Sequence, residues 1–214
     1  MPKLKVMLVD DHAVVRMGFK LLLEACHDIE VMAEADSGEA ACQACEQLRP
    51  DVLVMDLAMP GMGGIEAIKR IRAKHSQVSI LALSAHEDVS HPTRALQAGA
   101  LGYLSKRSAP EVLIDAIRAT ARGQRYVDSQ IAQHIAMQAI NGDRNPVGRL
   151  SAREFEVFEQ LALGQSVAQI SESLKLSAST VGTHLYNIKQ KLGLNNQAEM
   201  TLLALRHGLI RITE

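Results

Sequence analysis

The sequence is poor in aromatic residues and in excess charge, and each shortage argues against a class of protein. Aromatic residues make up 3% of the chain and tryptophan is absent, which argues against a base-stacking surface for RNA or single-stranded nucleic acid. Lysine and arginine number 23 against 24 acidic residues, so the net charge is −1. Net charge alone therefore gives no sign of a basic footprint for nucleic acid.

Cysteines and long apolar segments are also scarce. The three cysteines, Cys26, Cys42 and Cys45, are too few and odd in number for a disulfide framework, which favours a reducing cytoplasm. No apolar run approaches the roughly 18 residues that cross a membrane, so we expect no membrane span. Cys42 and Cys45 have the spacing of a metal or redox pair, but they lie within a predicted helix without a second ligand pair, which favours a packing role.

Hydrophobic residues make up 47% of the chain, and over residues 1–122 they alternate between short apolar runs and segments of helical spacing. Runs without in-out alternation are typical of parallel strands buried on both faces. The pattern predicts a doubly wound, five-stranded parallel sheet of order 2-1-3-4-5. The predicted strands are Val6–Val9, Ile29–Ala33, Val52–Met55, Ile80–Leu83 and Leu101–Leu104, and the predicted helices cover about 13–26, 38–49, 64–74, 92–98 and 109–122.

The rest of the chain changes character. Residues 123–148 are interpreted as a connecting helix, about 131–140, followed by a flexible tether rich in helix breakers at 141–148. Residues 149–214 show four helices and no strand. Two capping boxes begin at Ser151 and Ser166, and a third helix, capped by Ser177, ends at Gly193 before a fourth at about 197–207. The short break between the second and third helices predicts an all-α helix-turn-helix domain.

Polar residues follow the strands of the first domain where a ligand is expected. Asp10 and Asp11 follow the first strand, Asp56 ends the third, Ser84 ends the fourth and Lys106 ends the fifth. In an open parallel sheet these ends meet at the edge that binds ligands, beside the point where strand order reverses. Converging carboxylates repel one another, so we expect a hard divalent cation such as Mg²⁺. Asp10 and Asp11 could instead simply cap the first helix.

The residue types indicate phosphoryl transfer to a carboxylate. An aspartate beside a metal can act as the nucleophile while the metal and a lysine neutralise the charge that develops on the phosphoryl oxygens. The same residues resemble the receiver domain of bacterial two-component response regulators. The resemblance covers about residues 1–122 and rests on Val6–Asp11, Asp56–Pro60, Ser84–Ala85 and Tyr103–Lys106.

This resemblance implies a role for each matching residue. Asp56 would accept a phosphoryl group from a sensor histidine kinase, and Asp11, Asp56 and the carbonyl of Ala58 would bind Mg²⁺, with Asp10 acting through water. Phosphorylation adds negative charge, which Ser84, Ala85 and Lys106 would sense. Tyr103 would then turn inward, and the surface around residues 85–108 would report the change.

The second domain resembles the LuxR-type helix-turn-helix, from Leu150–Glu154 through Thr180–His184 to Arg206–Gly208. The two resemblances together indicate a transcription regulator of the NarL/FixJ family, which binds double-stranded DNA as a dimer and has RNA polymerase as a further partner. In that family the helix at 177–191 enters the major groove and the last helix makes the dimer contact. The candidate DNA contacts are Ser177, Thr180, Thr183, His184, Tyr186, Asn187 and Lys191.

Ala168, Ser179 and Gly182 stand where the family often has lysine, and lost phosphate contacts weaken DNA binding. An alternative is therefore a regulator that acts by protein contact through a degenerate DNA-binding domain. A third hypothesis, a phosphatase-like enzyme, requires a substrate pocket and a second acid or base, and neither is evident in the sequence. The expected function is phosphorylation-controlled, sequence-specific DNA binding, without enzymatic turnover of a substrate.

Overall fold

The computed structural model describes residues 2–85, 90–140 and 146–210. The chain forms two compact units: the first contains the sheet and ends at Ile135, within the helix Ser129–Ile140, and the second contains the helices that follow. The predicted tether falls largely on residues 141–145, which lie outside the described residues. In the described part of the chain, no helix combines the length and apolar character needed to cross a membrane.

The first unit is a parallel sheet with helices on both faces. Its strand order is β2-β1-β3-β4-β5-β6, and every neighbouring pair is parallel. The strands are β1 (Leu4–Val9), β2 (Ile29–Ala35), β3 (Val52–Asp56), β4 (Ser79–Ser84), β5 (Gly102–Ser105) and β6 (Tyr126–Val127), and the helices are α1 (Ala13–Glu24), α2 (Gly38–Gln47), α3 (Gly64–Lys74), α4 (Ser90–Ala98), α5 (Pro110–Ala121) and α6 (Ser129–Ile140).

Alternate residues of the central strands pack on opposite faces. Val6, Leu8 and Val54 share one core cluster with residues of α1 and α5. The residues between them, such as Met7 and Met55, are completely buried as well, which explains why these strands read as continuous apolar runs. On the opposite face, α2 and α3 pack on each other and on the sheet.

The predicted strand order 2-1-3-4-5 is confirmed, but the prediction of five strands is wrong. A sixth strand, β6, pairs with β5, with Tyr126 opposite Gly102 and Val127 opposite Tyr103. The two strands approach each other closely, since a Cβ built on Gly102 would lie only 3.0 Å from the carbonyl oxygen of Tyr126. A strand of two residues has no apolar pattern, so the sequence assigned this stretch to the linker.

The second unit is helical, as predicted. A short 3₁₀ helix, Pro146–Arg149, precedes α7 (Ala152–Ala162), α8 (Val167–Leu174), α9 (Ala178–Leu192) and α10 (Gln197–Arg206). Both predicted capping boxes form, at Ser151 with Glu154 and at Ser166 with Gln169. Ser177 caps α9 by accepting a hydrogen bond from the amide of Thr180.

The turn between α8 and α9 contains the one non-glycine residue with positive φ in the described chain. Lys175, which ends α8, has φ 53° and ψ 44°. This left-handed conformation suits glycine better than a residue with a Cβ. The close spacing of α8 and α9 is therefore achieved at some cost in backbone energy.

Candidate functional site

Three carboxylates meet beyond the ends of β1 and β3. Asp10 is 3% exposed and Asp56 is 1% exposed. One ligand atom from each of Asp10, Asp11, His12 and Asp56 lies within 4.8 Å of the others. One buried oxygen of each aspartate (Asp10 Oδ2, Asp11 Oδ1 and Asp56 Oδ2) has Lys106 or His12 as its near neighbour, at 2.6 to 2.9 Å. Buried like charges that converge in this way fit a divalent cation, which prefers oxygen ligands.

Lys106 supplies positive charge to the same site. Its Nζ lies 2.6 Å from Asp10 Oδ2 and 2.8 Å from Asp56 Oδ2. The backbone holds it there, because the amide of Lys106 donates to the carbonyl oxygen of Ser84 at 2.8 Å, which aligns the ends of β4 and β5. One ammonium thus contacts two of the three carboxylates, and the cluster keeps a net negative charge.

The pKa values of Lys106 and Asp56 respond to this crowding. Burial raises the pKa of Asp56 above its usual range, and the nearby Lys106 only partly offsets that effect. Burial alone would lower the pKa of Lys106, but the charges of Asp56 and Asp10 outweigh burial and raise it. Lys106 therefore stays protonated. A second positive charge at the site would favour the ionised, nucleophilic form of Asp56.

The loop after β3 is built closely around Asp56. The amide of Ala58 donates to Asp56 Oδ1 at 3.2 Å. A Cβ on Gly64 would lie 2.0 Å from the carbonyl oxygen of Asp56, so only glycine fits at the start of α3. The sequence predicted a helix from about residue 64 but did not identify Gly64 as part of the site. The run Gly61–Gly64 was the available signal.

The alternative role of Asp10 and Asp11 as helix caps has limited support. The N-cap residue of α1 is His12, whose side chain makes no capping hydrogen bond. Asp10 Oδ1 does accept from the amide of His12 at 2.9 Å. That local bond leaves Asp10 Oδ2 facing Lys106, so a cap does not account for the whole cluster. His12 itself was missed, although it directly follows the two aspartates.

The predicted sensing residues lie on β4 and β5 or directly after them. Ser84 is the last residue of β4 and is completely buried, while Ala85 is exposed. Tyr103 lies on β5 opposite Ala82 and is also completely buried, so its side chain already has an inward position. Of the predicted reporting surface, residues 86–89 lie outside the described residues.

In the helical unit, α9 packs one side on the domain and exposes the other. Val181 and Ile188 are completely buried, and Leu185 and Leu192 pack against the same core, as their spacing predicted. Thr183 and Tyr186 are exposed, and Asn187 is half-buried. Thr180 is exposed as well, although its hydroxyl lies 2.7 Å from that of Ser177. Most of the candidate DNA contacts are thus on the accessible side of α9.

Two of the candidate DNA contacts interact electrostatically with charged residues of α7. Lys191 Nζ lies 2.6 Å from Oε2 of Glu154, a residue that is only 4% exposed. His184 is half-buried, and burial together with Arg153 lowers its pKa. The sequence reasoning foresaw neither the ion pair nor the effect of Arg153 on His184, because α7 and α9 are separate segments of the chain. Lys191 therefore has a structural partner, although its side chain is 41% exposed.

The cysteine pair has the environment of core residues. Cys45 is buried, and burial raises its pKa to about 11. Burial also raises the pKa of Cys42, whose Sγ lies 4.0 Å from the sulfur of Met62. Within the described residues, the acidic cluster is the one group of three or more acidic, histidine or cysteine side chains close enough to share a metal. These observations support the packing interpretation of the pair.

Comparison with known proteins identifies both units. Residues 6–118 match the response regulator receiver domain, and residues 148–204 match the bacterial regulatory proteins of the luxR family. The chain is 42% identical to the response regulator UvrY of Escherichia coli K12, over 96% of this chain and 95% of UvrY. It is 39% identical to the response regulator GacA of Pseudomonas syringae, over 97% of this chain and 98% of GacA.

A solved structure extends the similarity to both units. RcsB from Salmonella enterica serovar Typhimurium, bound to promoter P1flhDC in the presence of the phosphomimetic BeF₃⁻, is 26% identical with a TM-score of 0.66. The match covers 94% of this chain and 98% of RcsB. Two family models in the expected order, and relatives matched along their full length, agree with the acidic site and the helix-turn-helix. The chain belongs to the NarL/FixJ family of two-component response regulators, transcription regulators that join a receiver domain to a LuxR-type DNA-binding domain.

Proposed function

We propose that Asp56 is the phosphoacceptor and that a sensor histidine kinase is the donor. A carboxylate oxygen of Asp56 attacks the phosphorus of a phosphohistidine, so a P–O bond forms as the P–N bond breaks and the imidazole leaves. The observation that carries this proposal is the cluster of buried carboxylates around Asp56, with Lys106 Nζ 2.8 Å from its Oδ2.

Mg²⁺ is the proposed cofactor, and the residues present fit it. Asp11, Asp56 and the carbonyl of Ala58 would hold the ion, and Asp10 would contact it through water. The clustering of ligand atoms from all three aspartates within 4.8 Å of one another supports this assignment. When bound, the ion would supply positive charge to the phosphoryl oxygens. Lys106 stabilises the same charge from the Asp10 side of Asp56.

The phosphoryl group then acts on the residues at the ends of β4 and β5. It adds about 1.5 to 2 negative charges, and the hydroxyl of Ser84, the backbone after Ala85 and the ammonium of Lys106 respond to it. Tyr103, already buried on β5, retains its inward position in the active form. The two forms differ in population, so phosphorylation shifts an equilibrium that exists beforehand.

The output is sequence-specific binding to double-stranded DNA as a homodimer, followed by contact with RNA polymerase. The exposed side of α9 would read the major groove. Ser177 and Thr180 lie at its N-terminus, where backbone amides favour a phosphate. Dimerisation compensates for a recognition helix with few cations. RcsB, bound to a promoter with a phosphomimetic, offers the parallel.

Selection of genomic DNA fragments on the full-length protein tests the proposal. Three samples are compared: the protein alone, the protein with Mg²⁺ and beryllofluoride, and Asp56→Asn with the same additions. We expect enrichment of paired half-sites in the activated wild type only. That result would also supply the DNA motif.

The other outcomes would contradict different parts of the proposal. Equal enrichment in all three samples would keep the DNA-binding function and remove the phosphoryl switch. Enrichment in none would contradict DNA binding and favour a regulator that acts by protein contact, for which the missing lysines at Ala168, Ser179 and Gly182 are the supporting observation.

A further inference from the structure

His12 places a nitrogen ligand at the edge of the acidic cluster. Its Nδ1 lies 2.9 Å from Asp11 Oδ1 and 3.3 Å from Asp10 Oδ1. The side chain is 64% exposed, so packing against the domain does not hold it in this position. The imidazole therefore lies at the exposed edge of the site, with Asp11 Oδ1 as its nearest carboxylate oxygen.

The distances suit a single ion. One atom each from Asp10, Asp11, His12 and Asp56 lies within 4.8 Å of the other three. Ligands on opposite sides of a small divalent ion are about 4.0 to 4.4 Å apart, because each bond is about 2.0 to 2.2 Å long. These separations allow Asp11, His12 and Asp56 to share one ion directly while Asp10 contacts it through water.

The chemistry of an imidazole changes which ion the site prefers. Mg²⁺ takes oxygen ligands and keeps several waters. Imidazole suits borderline first-row ions, and affinity for such sites rises from Mn²⁺ to Ni²⁺. We propose that His12 is a direct metal ligand, in place of one water, and that it shifts the acceptor site of this protein from Mg²⁺ toward Mn²⁺ and Ni²⁺. This inference rests on the proposed divalent cation site.

His12 could otherwise only position Asp11 by donating a hydrogen bond from Nδ1. The two roles predict different results. A positioning residue affects every metal that Asp11 binds, including Mg²⁺. A direct ligand affects the borderline ions selectively, and its nitrogen is coupled magnetically to a bound paramagnetic ion.

The experiment uses the untagged full-length chain, His12→Ala and the matched control His27→Ala, which removes an exposed histidine from the loop before β2. Calorimetric titration gives the Kd of each protein for Mg²⁺, Mn²⁺ and Ni²⁺. Pulsed electron paramagnetic resonance of the Mn²⁺ complexes detects a directly coordinated nitrogen.

We expect His12→Ala to raise the Kd for Ni²⁺ at least about tenfold and to change the Kd for Mg²⁺ by less than about twofold. The nitrogen coupling should be present in wild type and His27→Ala and absent in His12→Ala. An equal loss of Mg²⁺ affinity, or a wild-type complex without nitrogen coupling, would overturn the inference.

Beryllofluoride uptake with Mg²⁺, measured on the same proteins, separates this inference from the proposed function. If wild type takes up no beryllofluoride, the phosphoacceptor assignment is wrong. If uptake persists while His12→Ala leaves the Ni²⁺ affinity unchanged, the acceptor assignment stands and the role of His12 is wrong.

Discussion

At the scale of single residues, the position of Asp56 depends on Gly64, which packs against the backbone of Asp56 and Leu57. A Cβ on Gly64 would lie 2.0 Å from the carbonyl oxygen of Asp56 and 2.6 Å from the Cα of Leu57. Gly64→Ala must therefore move the backbone of the acceptor loop. We expect it to lower the free energy of unfolding by about 2 to 3 kcal/mol and to weaken beryllofluoride uptake, as measured by urea unfolding and by titration.

Gly18→Ala is the matched control for this substitution. Gly18 lies in α1, and a Cβ there meets nothing within 4 Å. Alanine favours the helix, so Gly18→Ala should stabilise the protein by up to about 1 kcal/mol. If Gly64→Ala is equally harmless, the acceptor loop has more freedom than its contacts indicate.

The pairing of Glu154 with Lys191 gives the helical unit a dependence on pH. Burial would raise the pKa of Glu154, but hydrogen bonds from Lys191 and Ser151 outweigh burial and hold it below its usual value of 4.5. The unfolded chain then binds more protons, so this carboxylate stabilises the fold above its unfolded pKa. That stabilisation is lost as pH falls through the folded pKa.

We therefore expect Glu154→Gln to cost about 1 kcal/mol at neutral pH and progressively less at pH values below 4.5. Urea unfolding of both proteins from neutral pH down into this acidic range measures the difference. Glu172→Gln, which removes an exposed carboxylate from α8, controls for the change in net charge. A Glu154→Gln difference that is constant with pH would show that the ion pair contributes nothing.

Sequence reasoning located the residues of the acidic cluster but not their contacts. Strand ends identify Asp10, Asp11 and Asp56, because parallel strands bring their carboxyl ends to one edge. They do not indicate which exposed neighbour turns toward the cluster, so His12 was missed. They also do not reveal a position without room for a Cβ, as at Gly64. These features depend on loop geometry, which has no periodic signal.

At the scale of secondary-structure elements, α9 has room for a lysine side chain at a position that is glycine in this protein. Gly182 stands where the family often has lysine, and a Cβ built there meets nothing within 4 Å. Gly182→Lys should add one phosphate contact per subunit. The slope of log affinity against log salt should steepen by about 0.9 per added contact, and DNA affinity at low salt should rise.

Gly182→Ala separates this charge effect from a more stable helix. Both substitutions improve helix propensity by up to about 1 kcal/mol, but only lysine adds charge. Fluorescence anisotropy on a selected DNA site, repeated at several salt concentrations, measures the slopes. Equal slopes for wild type and Gly182→Lys would mean that this position does not face a phosphate.

Elements with a long pattern were predicted well, and short ones were not. The apolar stripe of Val181, Leu185 and Ile188 identified the buried side of α9, since hydrophobic residues recur at helical spacing. The predicted helix-turn-helix forms even though Lys175 adopts φ 53°. Packing on both sides of the turn can offset such a local backbone cost. Strand β6 was missed because two residues contain no period.

At the scale of the whole molecule, the receiver and the helix-turn-helix domain both have few positive charges at their proposed binding sites. The acidic cluster has one lysine for three carboxylates, so it is poised to gain a cation and a phosphoryl group. The proposed recognition helix, α9, has few cations of its own, and Lys191 pairs with Glu154. We therefore expect one copy to bind DNA weakly and phosphorylation to act by bringing two copies together.

This dependence on two copies can be measured with synthetic DNA. With Mg²⁺ and beryllofluoride, we expect the protein to bind a paired site about 10² to 10⁴ times more tightly than a single half-site, because the second contact is intramolecular. Inserting five base pairs turns one half-site about half a helical turn away and should remove that gain. Asp56→Asn under the same conditions should show little gain on either DNA. Binding to the single half-site as tight as to the paired site would mean that a monomer suffices, and that phosphorylation controls something other than pairing.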